Sequence, residues 1–237
     1  MGKLWYLSPS NQKDNVGVEG YGRVTDQMYL LADAITPYLD RYGVSFHVAD
    51  QSMTLAQRAR ESNEMKAGWY LALHSNAGGG GTAYGPIAFY AAQGKELAER
   101  LTRCLLETGQ KNNRSENVRQ SSSLYELIHP NAPSCLLEVD FHDSETGVRF
   151  LTERRDDAAR AIARAIVELD GKLWQEDSVQ PADALPSPWA REAVDQAIAQ
   201  NLFVGDGKGN YNWKSYLTRE QAAVLLMRFQ KLLEKRQ

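Results

Sequence analysis

Short apolar runs alternate with longer amphipathic stretches through the first 174 residues, and this alternation constrains the fold more than any other feature. The short runs predict strands over 4–7, 44–48, 69–73, 86–92 and 135–141. The amphipathic stretches predict helices over 25–42, 54–66, 96–109 and 157–174. Because strands and helices alternate, we expect an α/β fold in which helices flank a twisted, largely parallel sheet.

A change of composition after Trp174 indicates a second, smaller unit. Residues 175–185 are polar and acidic and lack an apolar period, so they predict a linker. The segment 186–237 contains two helical patterns around a turn-rich loop over 205–210, and Thr218 with Gln221 predicts a capping box. A helical unit of roughly fifty residues is small for independent stability, so we expect it to pack against another surface.

Composition excludes several classes of protein. Lys and Arg total 27 and Asp and Glu total 30, a net charge of −3 that leaves no basic excess for a nucleic-acid partner. The two cysteines, Cys104 and Cys135, lie in apolar surroundings and predict buried thiols rather than a disulfide or a metal site. We expect neither a membrane span nor a signal peptide, because no apolar run is long enough for either.

Two polar residues stand where the predicted strands should be apolar or should end. His74 ends the strand over 69–73 and opens a glycine-rich loop, at the edge where open α/β sheets bind ligands. Glu138 interrupts the apolar run 135–141, where a carboxylate is costly unless it is paired, bound to metal or used in catalysis. An imidazole ligand and a carboxylate general base suit metal-assisted hydrolysis. The alternative is structural, with His74 capping a carbonyl and Glu138 paired with an arginine.

The other three histidines are weaker candidates. His142 shares the strand parity of Glu138, but four residues of extended strand separate them by about 13 Å. His47 and His129 are expected to be structural or exposed.

Several motifs resemble one enzyme family. They are His74-Ser75-Asn76-Ala77, the strand Leu136–Asp143, the opening Leu7–Gln12 and Leu31–Ala34 on the first helix. Over residues 4–173 the chain resembles the zinc-dependent N-acetylmuramoyl-L-alanine amidases of the amidase-3 type, in a variant branch found in clostridial-type bacteria and their phages.

This resemblance implies a set of site residues. It makes His74 a zinc ligand and Glu138 the catalytic acid/base. Beside them, we expect Asn76 to position either the substrate or the loop. Asn11 and Gln12 stand where the family has a second histidine ligand. Residues 24–27 stand where it has a glutamate ligand, so the substitute or neighbouring site groups are Asn11, Gln12, Asp26 and His142.

The segment 186–232 resembles an S-layer homology repeat, a unit that binds cell-wall polymers. The resemblance leaves three roles open: binding a secondary cell-wall polymer, docking on the amidase-like domain, or self-association.

We therefore expect a peptidoglycan amidase that cleaves the bond between N-acetylmuramic acid and L-alanine of the stem peptide. It would act at the bacterial cell wall. The absence of a predicted signal peptide fits either cytoplasmic synthesis with release like that of a phage lysin, or a trimmed form of a longer chain. The alternative is a non-catalytic wall-binding protein with a degenerate amidase site, which the absence of two family ligands favours. A third reading is hydrolysis of another amide by a rearranged metal site that includes Asp26 or His142.

Overall fold

The computed structural model describes residues 3–175, 190–204, 211, 213 and 219–234. The chain forms two compact units, Met1–Trp174 and Gln175–Gln237. The larger unit is an α/β domain, and the described part of the smaller one contains two helices. Most of the predicted linker, the loop over 205–210 and Thr218 of the predicted capping box lie outside the described residues.

A six-stranded sheet forms the centre of the larger unit. The strands in chain order are β1 (Trp5–Pro9), β2 (Val16–Gly17), β3 (Gly22–Arg23), β4 (Phe46–Val48), β5 (Trp69–Asn76), β6 (Ile87–Ala91), β7 (Val118–Gln120) and β8 (Ser134–Phe141). The sheet order is β4-β1-β5-β8-β6-β7, and β2 pairs separately with β3. Every pair in the large sheet is parallel except β6 with β8. The predicted α/β fold with a mostly parallel sheet is confirmed.

Helices cover both faces of this sheet. In chain order they are α1 (Val24–Arg41), α2 (Leu55–Glu64), α3 (Lys95–Glu107), α4 (Tyr125–Ile128), α5 (Glu145–Glu153) and α6 (Arg155–Leu169), with α7 (Arg191–Ala199) and α8 (Arg219–Glu234) in the smaller unit. Contacts of α6 with α1 and with α3 join the helices of one face. On the other face, α4 contacts α2, β6 and β8. No helix in the described ranges is long and apolar enough to cross a membrane.

Local sequence signals explain where several helices begin and end. A capping box joins Thr54 to Gln57 at the start of α2, and Ser144 accepts a hydrogen bond from the backbone of Gly147 at the start of α5. Gly43 follows α1 with φ of +61°, a conformation that favours glycine and ends the helix as predicted. The predicted helix 157–174 instead runs from Arg155 to Leu169.

The core lies on both sides of the sheet because side chains alternate along each strand. On the α4 face, one buried cluster comprises Tyr6, Ala49, Tyr70, Ala72, Leu127 and Leu136. The opposite face buries Leu7, Leu71, Leu73 and Leu137. Both cysteines are buried and free, which confirms their prediction as small apolar residues.

Two stacked aromatic pairs join β1 to β5. Trp5 stacks on Trp69 with ring centroids 5.3 Å apart, and Tyr6 stacks on Tyr70 at 5.2 Å. The pairs are in register, one on each face of the sheet. Each is worth about 0.5–1.5 kcal/mol beyond its buried area. They therefore fix the relative position of the two strands whose carboxyl ends carry polar side chains.

Candidate active site

Polar side chains collect at the edge where the parallel strands β1, β5 and β8 end. Residue His74 of β5 pairs in register with Glu138 of β8. Neighbours in register on parallel strands present their side chains to the same face. The structure therefore brings together the two residues for which the sequence predicts chemistry, at the edge where α/β sheets bind ligands.

Glu138 is a carboxylate with a free oxygen. Its Oε2 is shielded from solvent and has no hydrogen-bond partner among the described residues. Burial raises the pKa of Glu138, His74 opposes this rise, and the negative charge of Glu126 adds to it. A carboxyl group with a raised pKa and an unused oxygen is suited to accept and return a proton.

His74 is almost fully buried and is bonded to a second carboxylate. Its Nε2 lies 2.9 Å from Oε2 of Glu126. Burial acts to lower the pKa of His74, but the hydrogen bond and charge of Glu126, with Glu138 beyond, raise it overall. The strand-end histidine is therefore held by an acidic partner and does not cap a carbonyl.

Glu126 is a site residue that sequence reasoning missed. It lies on the short helix α4 and is only 3% exposed. Burial acts to raise its pKa, yet hydrogen bonds from His74, Ser8 and Tyr70 lower it overall. The available signal was an acid within Leu124-Tyr125-Glu126-Leu127-Ile128, an otherwise apolar and aromatic run like that around Glu138.

A buried arginine supports this edge of the sheet. Arg58 of α2 is fully buried, and its Nη1 donates to Ser8 Oγ and to the carbonyl of Pro9, at the end of β1. Its Nη2 donates to the hydroxyl of Tyr29 and to the carbonyl of Asp50. One guanidinium group thus joins β1, α1 and the segment after β4.

The structure places His142 on the opposite face from Glu138. A bulge in β8 shifts the register, so that His74 pairs with Glu138 but Asn76 pairs with Phe141. The extra residue reverses the alternation of side chains. The ring of His142 accordingly bonds the hydroxyl and carbonyl of Ser75, which alternates with His74, and stacks on Tyr21. The prediction that His142 shares the face of Glu138 is wrong for this reason.

The loop after β1 directs its amides elsewhere. Asn11 donates through Nδ2 to the carbonyl of Met53, 3.0 Å away. Gln12 accepts through Oε1 from Asn15 at 2.8 Å. Within the described residues, no hydrogen bond joins either amide to His74.

The candidate on α1 is also paired outside the site. Asp26 forms an exposed ion pair with Arg23 at 2.8 Å and accepts a hydrogen bond from Gln51.

Asn76 is next to the site in sequence, and its Oδ1 accepts a hydrogen bond from the backbone of Ala77. Asn76 therefore shapes the start of the glycine-rich loop.

The donor atoms at this edge do not fit the zinc site that the resemblance implies. Across the described ranges, no three His, Cys, Asp or Glu side chains form a group that could hold a metal ion. Of the groups at the implied ligand positions, only His74 lies at this edge, because Asn11, Gln12 and Asp26 are bonded elsewhere. Because zinc usually takes three protein ligands of these types, a complete site would require rearrangement.

Comparison with solved structures shows the class of fold. The chain is similar to N-acetylmuramoyl-L-alanine amidase AmiC2 of Nostoc punctiforme, with a TM-score of 0.62, 20% identity, and 72% of this chain and 98% of that chain covered. An N-acetylmuramoyl-L-alanine amidase from Clostridium difficile 630 matches with a TM-score of 0.61, 19% identity and coverage of 73% and 99%. The catalytic domain of an endolysin targeting Clostridia difficile matches with a TM-score of 0.60, 16% identity and coverage of 74% and 100%.

The family follows from the sequence. The model of the N-acetylmuramoyl-L-alanine amidase family matches residues 16–168, so the chain belongs to this family of peptidoglycan amidases. No curated protein matches the sequence. The matched range contains both His74 and Glu138.

Proposed function

We propose that this protein hydrolyses the amide bond between the lactyl group of N-acetylmuramic acid and L-alanine of the stem peptide. One observation carries the proposal: in a fold of the amidase family, Glu138 holds an unpartnered, shielded carboxylate oxygen beside His74. An apolar or paired residue at that strand position would cost less folding free energy. A catalytic role explains why the acid is there.

In the proposed reaction Glu138 moves one proton. Its free Oε2 accepts a proton from water as the water oxygen bonds to the amide carbon. The same carboxyl group then gives that proton to the nitrogen of L-alanine as the carbon–nitrogen bond breaks. The raised pKa of Glu138 supports the first step, because a carboxylate with higher proton affinity is a stronger base.

Zinc is the cofactor that the resemblance implies, and His74 is the only one of its three implied ligands that this chain retains. The role of His74 as a ligand stays a prediction. The donors in the described part of the chain do not fit a zinc site, so the proposed proton transfers are assigned to Glu138 alone. When bound, zinc would polarise the amide carbonyl and the attacking water.

We propose the cell wall as the place of action, with release like that of a phage lysin. Peptidoglycan is the partner of the larger unit. For the segment 186–237, the resemblance to an S-layer homology repeat supports binding of a secondary cell-wall polymer or self-association. These roles stay separate from catalysis, because both proposed site residues lie in the larger unit.

Mass analysis of muropeptides tests the proposed activity. The purified full chain is incubated with peptidoglycan, and its metal content is measured on the same sample. We expect free stem peptides that begin with L-alanine. Glu138→Gln should slow their release at least about 100-fold, the usual contribution of a general acid/base.

Glu61→Gln is the matched control. Glu61 is also a carboxylate bonded to a tyrosine and a histidine, Tyr6 and His47, but it lies away from the edge that carries Glu138. The control should release peptides at the wild-type rate. Intact peptidoglycan after incubation of wild type with and without added zinc would refute the proposal, as would unchanged release by Glu138→Gln.

The second candidate is a wall-binding protein without catalysis. It is favoured by the pairing of Asn11 with Met53 and of Asp26 with Arg23, outside any common metal site. Sedimentation of the protein with purified cell walls measures this binding separately from hydrolysis. Co-sedimentation without peptide release would support the second candidate.

A further inference from the structure

We propose that Glu126 is a positioning residue that fixes the orientation and the tautomer of His74. By accepting a hydrogen bond from Nε2, it places the ring proton there and leaves Nδ1 as the nitrogen available to water, substrate or an ion. This inference deepens the proposed function and rests on it for the role of His74. It concerns a residue that neither the sequence motifs nor the family resemblance singles out.

Three hydrogen-bond donors surround the carboxylate of Glu126. Its Oε1 accepts from Ser8 Oγ at 2.5 Å and from the hydroxyl of Tyr70 at 2.9 Å, and its Oε2 lies 2.9 Å from His74 Nε2. A carboxylate with three donors around it is held in one geometry. It differs in this from Glu138, whose Oε2 is unpartnered. The two acids therefore have separate roles, one orienting and one moving a proton.

The positive charge of Arg58 compensates the negative charge of the Glu126 carboxylate. Ser8 donates to Glu126 and itself accepts from Arg58 Nη1 at 3.1 Å. The buried guanidinium thus lies one hydroxyl group away from the buried carboxylate. The arrangement lets Glu126 stay ionised in an apolar setting.

The tautomer follows from these contacts. An ionised carboxylate can only accept hydrogen bonds, so Nε2 of His74 must be the donor of the 2.9 Å contact. When the ring is neutral, its lone pair is then on Nδ1. Glu126 therefore orients the imidazole ring of His74, in the way that a third group orients the base in many catalytic sites.

A second, more exposed trio of tyrosine, glutamate and histidine joins β1 and β4 to helix α2. Tyr6 donates to Glu61 Oε2 at 2.6 Å, and His47 Nε2 lies 3.1 Å from the same oxygen. The side chain of Glu61 is 26% exposed, against 3% for Glu126. Because this trio includes neither His74 nor Glu138, it provides a matched control on the same fold.

Nitrogen NMR of the full chain, labelled at histidine, tests the proposal directly. At a pH where the rings are neutral, wild-type His74 should show a protonated Nε2 and an unprotonated Nδ1, with peaks assigned from single-histidine variants. Glu126→Gln should abolish this preference and lower kcat about 10- to 100-fold, with KM within about twofold. Glu61→Gln should alter the His47 signals alone and leave kcat unchanged.

Either of two results would overturn the inference. The first is a wild-type His74 with its proton on Nδ1, which needs no variant to fold. The second is a folded Glu126→Gln protein with unchanged His74 signals and unchanged kcat. If the wild type released no stem peptides, the proposed function would fail while the tautomer measurement would still decide the role of Glu126.

Discussion

Replacing Arg58 by Met should destabilise the larger unit by about 3–5 kcal/mol, the usual cost of removing one charge from a buried, compensated set. Met fills much of the space of the aliphatic stem, so the loss is mainly polar. Four hydrogen bonds disappear, to Ser8, Pro9, Tyr29 and Asp50. The buried carboxylate one hydroxyl group away also loses its nearest cation.

That change is a large fraction of the roughly 5–15 kcal/mol that stabilises a typical domain. For a domain of this size it corresponds to a fall in Tm of roughly 6–20 °C. The chain has two units, so a probe specific to the larger one is needed. Hydrogen exchange at the amides of Leu71 and Leu73, which are buried in β5, reports opening of that unit alone.

Arg23→Met is the control for Arg58→Met. Arg23 forms an exposed ion pair with Asp26, and its side chain is 59% exposed. We expect its replacement to change stability by less than about 0.5 kcal/mol. A stability of Arg58→Met within about 1 kcal/mol of wild type would refute the role of the buried guanidinium in holding the site edge together.

Two further predictions concern His142 and Glu138. Burial lowers the pKa of His142 against the opposing effects of the Ser75 carbonyl and Asp143, so the folded state disfavours the protonated ring. The unfolded chain then binds more protons, and stability should fall as the pH drops below about 6.5. His142→Asn should flatten this part of the stability curve in denaturant titrations, and an unchanged slope would contradict the assignment. Glu138→Gln removes a carboxylate whose pKa burial raises, so it should increase stability at pH 7 by about 1 kcal/mol. A lower Tm for this variant would mean that the charge stabilises the fold.

The strands that carry the site could be predicted because each has a polar residue within or at the end of an apolar run. Glu138 interrupts an apolar run, and His74 ends one. Burial of a polar group costs free energy, so these exceptions mark function or pairing. Parallel pairing then brings the two strand ends to one edge, as observed.

The rest of the site depends on contacts between residues far apart in the chain. Glu126 lies 52 residues from His74, on a helix of four residues that has too little length to show a periodic pattern. Arg58 lies 50 residues from Ser8, and its sequence neighbours resemble those of an exposed helix position. The prediction for the face of His142 is wrong because the apolar pattern of a single strand does not indicate where a bulge occurs.

The bulge in β8 has a consequence for how this strand can vary. Residues before it present side chains in phase with His74, and residues after it are one step out of phase. The two halves of the strand can therefore change independently, the first constrained by chemistry and the second by packing against the Ser75 side of the sheet. Deleting the extra residue would leave both ends of the strand in their present register, with His142 still on the face opposite Glu138, whereas plain alternation at the present length would bring His142 to the face that carries Glu138. The backbone bulge, more than any side chain, therefore decides how many histidines face this edge.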